Sequence, residues 1–332
     1  MSSAIHLGDS FFLRAGTPGE FTKFIRGHLP ESETLIVKGD WVGLEENSRR
    51  DADALRCVVG AARGRVIVTE GHQLWRQRIE ETAGLCFTAA SGERNWDWLM
   101  DSEGWRWLLK NPDWGWFRDG PHWAQARKEE KLFLEKYGFL DLFKELGVEY
   151  VNATDEIWAG RVADPKTVKG AVEAKYPPAF TDKLYALVPE VLYRHRGAPL
   201  VSLSKRKAYQ SFTMKNMFGL TPDPIRAWWH GPKDNRLAKS ILDINKVYAS
   251  FFQLWGVFET PHDGGSGFPR DIAISNSPAQ LDAILNHVAG FDPAKAPYLS
   301  TGNNMFGTYN DELLNEAKTD LCDWFPAPVK KP

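Results

Sequence analysis

Residues 34–69 read TLIVKGDWVGLEENSRRDADALRCVVGAARGRVIVT and carry the strongest indication of the fold class. This stretch begins with a short apolar segment at 34–38 and ends with another at 65–69. Between them, residues 51–62 place apolar side chains at helical spacing, and Gly64 follows as a helix-ending residue. A strand, a helix and a strand in this order predict a βαβ unit with two parallel strands.

Similar apolar segments recur further along the chain, at residues 148–152, 199–204 and 251–259. Helical patterns lie between them, at residues 123–136, 140–146 and 167–176. Gly147 comes directly after the second of these and suits a helix C-terminus. Alternation of strands and helices predicts an α/β fold, with a mainly parallel sheet flanked by helices.

The clearest single helix signal lies near the end of the chain. Ser277 is a favoured N-cap residue, Pro278 suits the first helical turn, and Gln280 would complete a capping box. An apolar stripe follows, and Gly290 lies past its end. We therefore predict a helix that begins at Ser277 and ends before Gly290.

A tryptophan-rich segment interrupts the alternation. The chain has 14 tryptophans, and half of them lie in this segment, at Trp96, Trp98, Trp105, Trp107, Trp114, Trp116 and Trp123. We interpret residues 91–125 as an insertion or lid outside the sheet. Two roles stay open: core packing, or a cover in which Trp114 and Trp116 contact an aromatic or apolar substrate. The remaining chain then divides into residues 1–90 and 126–325 of the α/β domain and a tail at 326–332.

Composition excludes several classes of function. The net charge is -2, so there is no overall basic field to hold a nucleic acid. The three cysteines suit neither a disulfide framework nor a zinc or iron–sulfur site. We find no signal peptide and no apolar run long enough to span a membrane, and we expect a cytoplasmic protein. The sequence leaves the oligomeric state open.

Residues 200–219 read LVSLSKRKAYQSFTMKNMFG, a strand followed by lysines and a K-N-x-x-G group. This segment resembles the signature of domain-of-unknown-function family 362 (DUF362). Its matching residues are Lys205, Lys207, Thr213, Lys215, Asn216 and Gly219. Weaker matches, including residues 38–41 and 229–231, extend the resemblance over about residues 34–310.

Three departures from the family pattern affect the expected chemistry. Tyr209 stands where relatives often have a histidine. Many relatives carry an aspartate-led acidic pattern soon after the late strand, whereas this chain reads Val257-Phe258-Glu259, so only Glu259 could serve. Many relatives carry ferredoxin-type cysteine clusters, which this sequence lacks. An oxidoreductase or electron-transfer accessory is therefore an alternative function, not the leading one.

Cationic residues at the ends of strands suggest a site for an anion. Loops at the carboxyl ends of parallel strands are where open α/β sheets bind ligands. The candidate substrate-binding residues are Lys38, Lys205, Lys207, Lys215, Asn216, Gly264 and Gly265. The lysines would attract a carboxylate or phosphate, and the glycine backbone N–H groups could hold an anion. The resemblance favours Lys207 and Lys215 among them.

Proton transfer is the expected chemistry. His230, Glu259 and Tyr209 are the candidate catalytic residues, because imidazole titrates near neutral pH and the other two can exchange protons. We predict no cofactor. A metal ion held by Glu259, His262 and Asp263 is a less favoured alternative.

Motifs for nucleotide binding, serine hydrolysis and zinc proteolysis are absent from the sequence. We therefore expect a small-molecule enzyme that acts on an anionic substrate with an aromatic or apolar portion, by isomerisation or elimination. A non-catalytic ligand-binding module is the second alternative.

Overall fold

A computed structural model describes the backbone of residues 4–41, 46–72, 106, 109–110, 115–119, 122–206, 212–222, 226–262 and 267–324. Within these ranges, the side chains of residues 46–51, 116, 117, 122 and 125 are not described.

The described residues form one eight-stranded sheet in the order β1-β2-β8-β7-β6-β3-β4-β5. Its strands are β1 (Ile5–Leu7), β2 (Ser10–Ala15), β3 (Thr34–Lys38), β4 (Arg65–Glu70), β5 (Glu149–Asn152), β6 (Pro199–Lys205), β7 (Gln253–Pro261) and β8 (Arg270–Ser275). The five strands from β7 to β5 are parallel. β1, β2 and β8 add an antiparallel side. The predicted mainly parallel α/β fold is confirmed, although this antiparallel side was not predicted.

The order of the parallel strands reverses between β3 and β6. The chain forms β3, β4 and β5 in one direction across the sheet, and then places β6 and β7 on the other side of β3. In open α/β sheets, a crevice forms at the carboxyl ends of the two strands that flank such a reversal. The topology therefore directs attention to the residues at and after Lys38 and Lys205, the last residues of β3 and β6.

The described helices connect and cover these strands. They are α1 (Pro18–His28), α2 (Glu46–Ala61), α3 (Gly115–Asp119), α4 (His122–Lys136), α5 (Phe139–Glu145), α6 (Ala153–Trp158), α7 (Pro165–Glu173), α8 (Glu190–Tyr193), α9 (Thr213–Met217), α10 (Arg226–His230), α11 (Leu237–Ala249), α12 (Pro278–Val288), α13 (Pro297–Gly302) and α14 (Asp311–Asp320). Short 3₁₀ turns lie at Asp182–Ala186, Phe218–Leu220, Pro232–Asp234 and Pro293–Lys295.

Helices cover both faces of the parallel strands. α1, α2 and α5 form one apolar cluster with Leu35 and Val37 of β3. α7, α9 and α11 form another with Ile36 of the same strand. Successive side chains of a strand point to opposite faces, so a strand buried on both faces needs a continuous apolar run. This explains the TLIVK sequence of β3.

Most predicted helices are confirmed with shifted ends. The helix predicted at residues 51–62 is α2, and those predicted at 123–136 and 167–176 are α4 and α7. Gly147 and Gly290 both follow helices with positive φ angles, of 62° and 85°. A glycine has no Cβ and takes this conformation without steric cost.

The predicted capping box at Ser277 and Gln280 is wrong. The Ser277 hydroxyl donates to Asp9 Oδ2 at 2.7 Å and makes no cap to its own helix. Gln280 Oε1 accepts the Asp9 N–H, and its Nε2 donates to the Thr308 carbonyl. Both side chains hold neighbouring loops, because the β1–β2 turn packs against the start of α12.

Most of the tryptophan-rich segment, including Trp114, lies outside the described residues. The side chain of Trp116 is not described either. Trp123 is described, and its indole N–H donates to Asp155 Oδ1 at 3.0 Å. The division at residues 91 and 125, and the lid, stay predictions. Among the described helices, none is both long enough and apolar enough to cross a membrane.

Candidate functional site

A buried ion pair joins the carboxyl ends of β3 and β4. Lys38 Nζ lies 2.8 Å from Glu70 Oε1. The ammonium also donates to Asn216 Oδ1 at 2.7 Å and to the Gly39 carbonyl at 2.8 Å. An ammonium has three N–H donors, and these three bonds use all of them. In this structure Lys38 therefore holds protein groups in place, and its role in binding substrate stays a prediction.

Asn216, on α9, accepts the hydrogen bond from Lys38. It lies at the switch point, the place where the strand order reverses between β3 and β6. Its amide Nδ2 donates to Ser202 Oγ and to the Leu203 carbonyl, both at 3.1 Å. The side chain is buried and its amide is committed on both ends. Asn216 therefore ties α9 to the ends of β3 and β6, and the structure does not bring it together with Lys215 at a shared ligand position.

Gly219 lies directly over the Lys38–Glu70 pair. A Cβ atom at this position would come within 2.5 Å of Lys38 Nζ and 2.9 Å of Glu70 Oε1. A Cβ on Gly71 would in turn lie 2.4 Å from the Gly219 carbonyl oxygen. Real side-chain atoms do not approach so closely, so both positions require glycine for this packing. The glycine of the K-N-x-x-G group thus has a steric role.

Lys215 points away from Asn216, toward the aromatic ring of Phe218. Lys215 Nζ lies 5.8 Å from the centre of this ring, and the guanidinium of Arg226 lies 5.9 Å from it. The imidazole of His230 packs edge-on against the same ring at 5.3 Å. Two cations, one histidine and one aromatic ring are therefore collected above the ends of β3 and β4.

Arg226 is fixed by the main chain around it. Its Nη2 donates to the carbonyls of His72 and Thr221 at 3.0 Å and to that of Gly219 at 3.3 Å. These bonds connect α10 to the end of β4. They place the first residue of α10, and with it His230 one turn later, beside Phe218.

His230 forms a dyad with Asp234. His230 Nδ1 lies 2.8 Å from Asp234 Oδ1, and the His230 side chain is 20% exposed. Burial lowers the pKa of His230; the Asp234 hydrogen bond raises it, and the charges of Lys215 and Arg226 lower it, for a net decrease. The imidazole is therefore neutral near pH 7 and able to accept a proton.

The turn that presents Asp234 has an unusual backbone. Gly231, Lys233 and Asp234 have φ angles of 73°, 52° and 59°. A residue with a side chain in the left-handed region costs about 1–2 kcal/mol. Strain of this kind is maintained when the surrounding contacts require it, and it occurs often at functional sites. Here it brings the Asp234 carboxylate to the histidine.

The opposite face of the switch point has a narrow cleft. It is lined by Gly39, Asp40, Trp41, Ala54, Leu55, Leu203, Ser204, Lys205 and Glu259. The space in it that a water-sized molecule could occupy is about 10 Å³, too small for a substrate unless side chains move. Side chains alternate across β3 and β6, so this cleft under α2 and the His230 dyad lie on opposite faces. Lys205 and Glu259, both predicted site residues, face each other in register.

Glu259 is paired within the protein. Arg270 Nη1 donates to Glu259 Oε2 at 2.6 Å, and both side chains are buried. His262, the other described member of the alternative metal set, lies 3.0 Å from Asp271 Oδ2. Among the described residues, no three histidine, cysteine or acidic side chains form a group that could hold a metal ion.

Five predicted site residues lie outside the described residues: Lys207, Tyr209, Gly264, Gly265 and Trp114. Asp263 of the alternative metal set lies outside them too. The roles of all six stay predictions.

Sequence reasoning missed three polar residues of the site: Arg226, Asp234 and Asp40. Asp234 follows His230 by four residues, and an acidic residue so near a candidate histidine is a signal that could have found it, although the two meet across a left-handed turn and not within a helix. Asp40 lies two residues past the end of β3 and could have been found from its position alone. Arg226 carries no signal, because its partners are carbonyl groups from two segments that are distant in sequence.

Residues 200–286 match the family described as a domain of unknown function, DUF362. Over these residues the chain is similar to DUF362. The matched residues run from β6 into α12 and include Lys215, Asn216, His230 and Glu259. The resemblance stated above for residues 200–219 is therefore confirmed, within a match that covers this part of the DUF362-like chain.

One curated relative is the thylakoid-associated protein sll1697 of Synechocystis sp., which is 29% identical over 115 residues. The similarity covers 30% of this chain and 35% of that protein, so the DUF362-like chain spans about a third of the relative's length. No solved structure matches the chain.

Proposed function

We propose that this DUF362-like chain is a small-molecule enzyme in which His230 moves a proton on an anionic substrate that has an aromatic or apolar portion. The observation that carries the proposal is the 2.8 Å contact of His230 Nδ1 with Asp234 Oδ1, beside the two cations Lys215 and Arg226. A histidine oriented by a carboxylate is a common arrangement of a general base.

The hydrogen bond to Asp234 selects the tautomer. It keeps the proton on Nδ1, so that Nε2 carries the lone pair that accepts a proton from substrate. The lowered pKa supports the same role, since a neutral imidazole is available at pH 7. In an isomerisation, Nε2 removes a proton from a carbon next to the carboxylate and returns it to the same or a neighbouring carbon. No oxidant or reductant is needed.

Lys215 is the proposed anchor for the anion. Its ammonium lies 5.8 Å from the centre of the buried Phe218 ring, which also packs against His230. Arg226 adds positive charge although its Nη2 is used by carbonyl groups. Lys207 and Tyr209, in the segment that follows β6, extend the same proposal, whereas Lys205 would act from the cleft on the opposite face.

The cellular setting is part of the proposal. We infer a cytoplasmic protein that needs no cofactor, membrane or nucleic acid. The name of the thylakoid-associated relative raises an alternative, in which the chain associates with a membrane surface. Fractionation of cell extracts, with a salt wash of the membrane pellet, separates the two.

Exchange of hydrogen for deuterium tests the proposal without knowledge of the natural reaction. A panel of small carboxylic acids with aryl or alkyl groups is incubated with the protein in D₂O and followed by ¹H NMR. We expect loss of the signal from the carbon next to the carboxylate for at least one acid. His230→Asn should reduce the exchange rate by about 10²–10⁴, the usual contribution of a general base.

Two further variants make this experiment more specific. Lys215→Met should raise KM more than it lowers kcat. His6→Asn changes an exposed histidine on the edge strand β1 and should leave exchange unaltered. An acid that binds saturably but never exchanges would favour the alternative of a ligand-binding module. Exchange that persists in His230→Asn would overturn the role of the dyad, and metal analysis of the purified protein tests the oxidoreductase alternative.

A further inference from the structure

Asp282 lies on α12, outside the site, and is fully buried. Its carboxylate accepts three hydrogen bonds from the first turn of α9. Oδ1 accepts the Thr213 N–H at 2.8 Å and the Thr213 hydroxyl at 2.6 Å, and Oδ2 accepts the Met214 N–H at 2.9 Å. A side chain 69 residues away in sequence thus holds the start of the helix that carries Lys215.

α9 has five residues and depends on such outside contacts. The first N–H groups of any helix have no partner within it, and a helix this short has little stability of its own. Phe212, at the N-cap position, supplies no side-chain hydrogen bond. Asp282 therefore performs from α12 the function that a capping residue usually performs from within the chain.

A chain of neighbouring residues connects Asp282 to His230. Lys215 follows Met214 directly, and the Met214 carbonyl accepts from Asn245 Nδ2 at 2.9 Å. Beyond Lys215, the 3₁₀ turn at Phe218–Leu220 brings the Phe218 ring against His230. The direction of α9 thereby decides where the Lys215 ammonium lies relative to His230.

We propose that Asp282 is a positioning residue that keeps Lys215 beside the His230–Asp234 dyad. This inference rests on the proposed function for its consequence in catalysis. Its structural content, the placement of one cation by a buried carboxylate, can be measured separately.

Asp282→Asn tests this placement with little change in shape. The amide offers one acceptor oxygen where the carboxylate offers two, and its NH₂ group faces an N–H donor of α9. The ammonium of Lys215 should then move away from His230. Among the described residues, the charged groups that act on His230 besides Lys215 include Arg226 on its own helix and Asp234 on the following turn.

The readout is the imidazole titration of His230 by NMR, together with the Kd of phenylacetate, a small aromatic carboxylate used as the probe. We expect the pKa of His230 to rise in Asp282→Asn, as it should in Lys215→Met. The Kd should increase by about tenfold, the effect of one misplaced charged contact. In the double variant, Asp282→Asn should add no further rise, because the cation is already absent.

Two matched variants separate positioning from a general loss of stability. Asp271→Asn removes another fully buried carboxylate, on β8, and should lower Tm without moving the pKa of His230. Thr213→Val deletes one of the three bonds to Asp282 and serves if Asp282→Asn does not fold. A lower Tm with the His230 titration unchanged, in Asp282→Asn or in Thr213→Val, overturns the proposal.

The titration also keeps this inference distinct from the proposed function. If no acid exchanges deuterium but the pKa of His230 rises as expected, the placement stands and the enzymatic proposal fails. If His230→Asn abolishes exchange and the titration does not respond to Asp282, the reverse holds.

Discussion

Lys38 Nζ lies 2.8 Å from Glu70 Oε1, and their side chains are 1% and 0% exposed. The pair joins two adjacent parallel strands at the edge where the sheet order reverses. Transfer of both charges from water costs free energy that their attraction offsets only with good geometry and further hydrogen bonds. Asn216 and the Gly39 carbonyl supply those bonds to the ammonium. This arrangement organises the edge more than it stabilises the fold.

Lys38→Met should therefore be strongly destabilising. It leaves the Glu70 carboxylate buried without its cation, and the loss of unfolding free energy should be about 3–5 kcal/mol. Urea denaturation measures it. The double variant Lys38→Met with Glu70→Leu removes both charges and should recover part of the loss. A single variant as stable as the wild type would contradict the buried pair.

Gly219→Ala tests the packing above this pair. The added methyl would lie 2.5 Å from Lys38 Nζ, so the ion pair or the 3₁₀ turn must shift. The free energy of unfolding should decrease by about 1–3 kcal/mol, as for other overpacked positions. Gly170→Ala is the matched control, because nothing lies within 4 Å of its added Cβ. In the interior of α7 it should stabilise the protein by about 0.5–1 kcal/mol.

The apolar runs of the five parallel strands were sufficient to predict their positions, because strands covered on both faces are mostly apolar. β8, with the sequence RDIAIS, escaped prediction for the opposite reason. Arg270 and Asp271 are fully buried within this strand, although their charges suggest a loop. Each is buried beside an opposite charge, on Glu259 and Arg14, that a single sequence does not reveal.

The site was predictable to a similar extent. Lys38, Lys215 and Asn216 were identified from the segments that carry them, but their partners were not. Lys38 and Asn216 are 178 residues apart and meet only through the strand order. Asp282 could not be found from sequence, since its role depends on the packing of α12 against α9. Local patterns predict elements, whereas contacts between distant elements require coordinates.

Glu259→Gln tests the buried ion pair of Glu259 with Arg270. Glu259 lines the narrow cleft under α2. The substitution leaves the Arg270 guanidinium without the carboxylate 2.6 Å away, and the free energy of unfolding should decrease by about 3 kcal/mol. Glu145→Gln is the comparison, because Glu145 and Arg56 form an ion pair of exposed side chains. Such pairs contribute little, so this control should not change the denaturation midpoint. Equal effects of the two variants would contradict the difference in burial.

The pH dependence of stability follows from His230. Its pKa in the folded protein lies below the ordinary value of 6.5, chiefly because of burial. The unfolded chain therefore binds the proton more readily, and the contribution of the neutral imidazole to stability is present above about pH 6.5. That contribution is lost as the pH falls through the folded pKa. His230→Asn should remove this part of the pH profile, whereas His6→Asn should not.

Variants of the two neighbours give opposite shifts of the same titration. Lys215→Met removes a cation and should raise the pKa of His230. The folded and unfolded pKa values then lie closer together, so acid should reduce the free energy of unfolding over a narrower pH range. Asp234→Asn removes the carboxylate that favours the imidazolium and should lower the pKa further. Two-dimensional NMR of the imidazole against pH measures both. Because burial and charge act independently on the proton, shifts in the same direction for the two variants would mean that the dyad and its cation are not assembled as described.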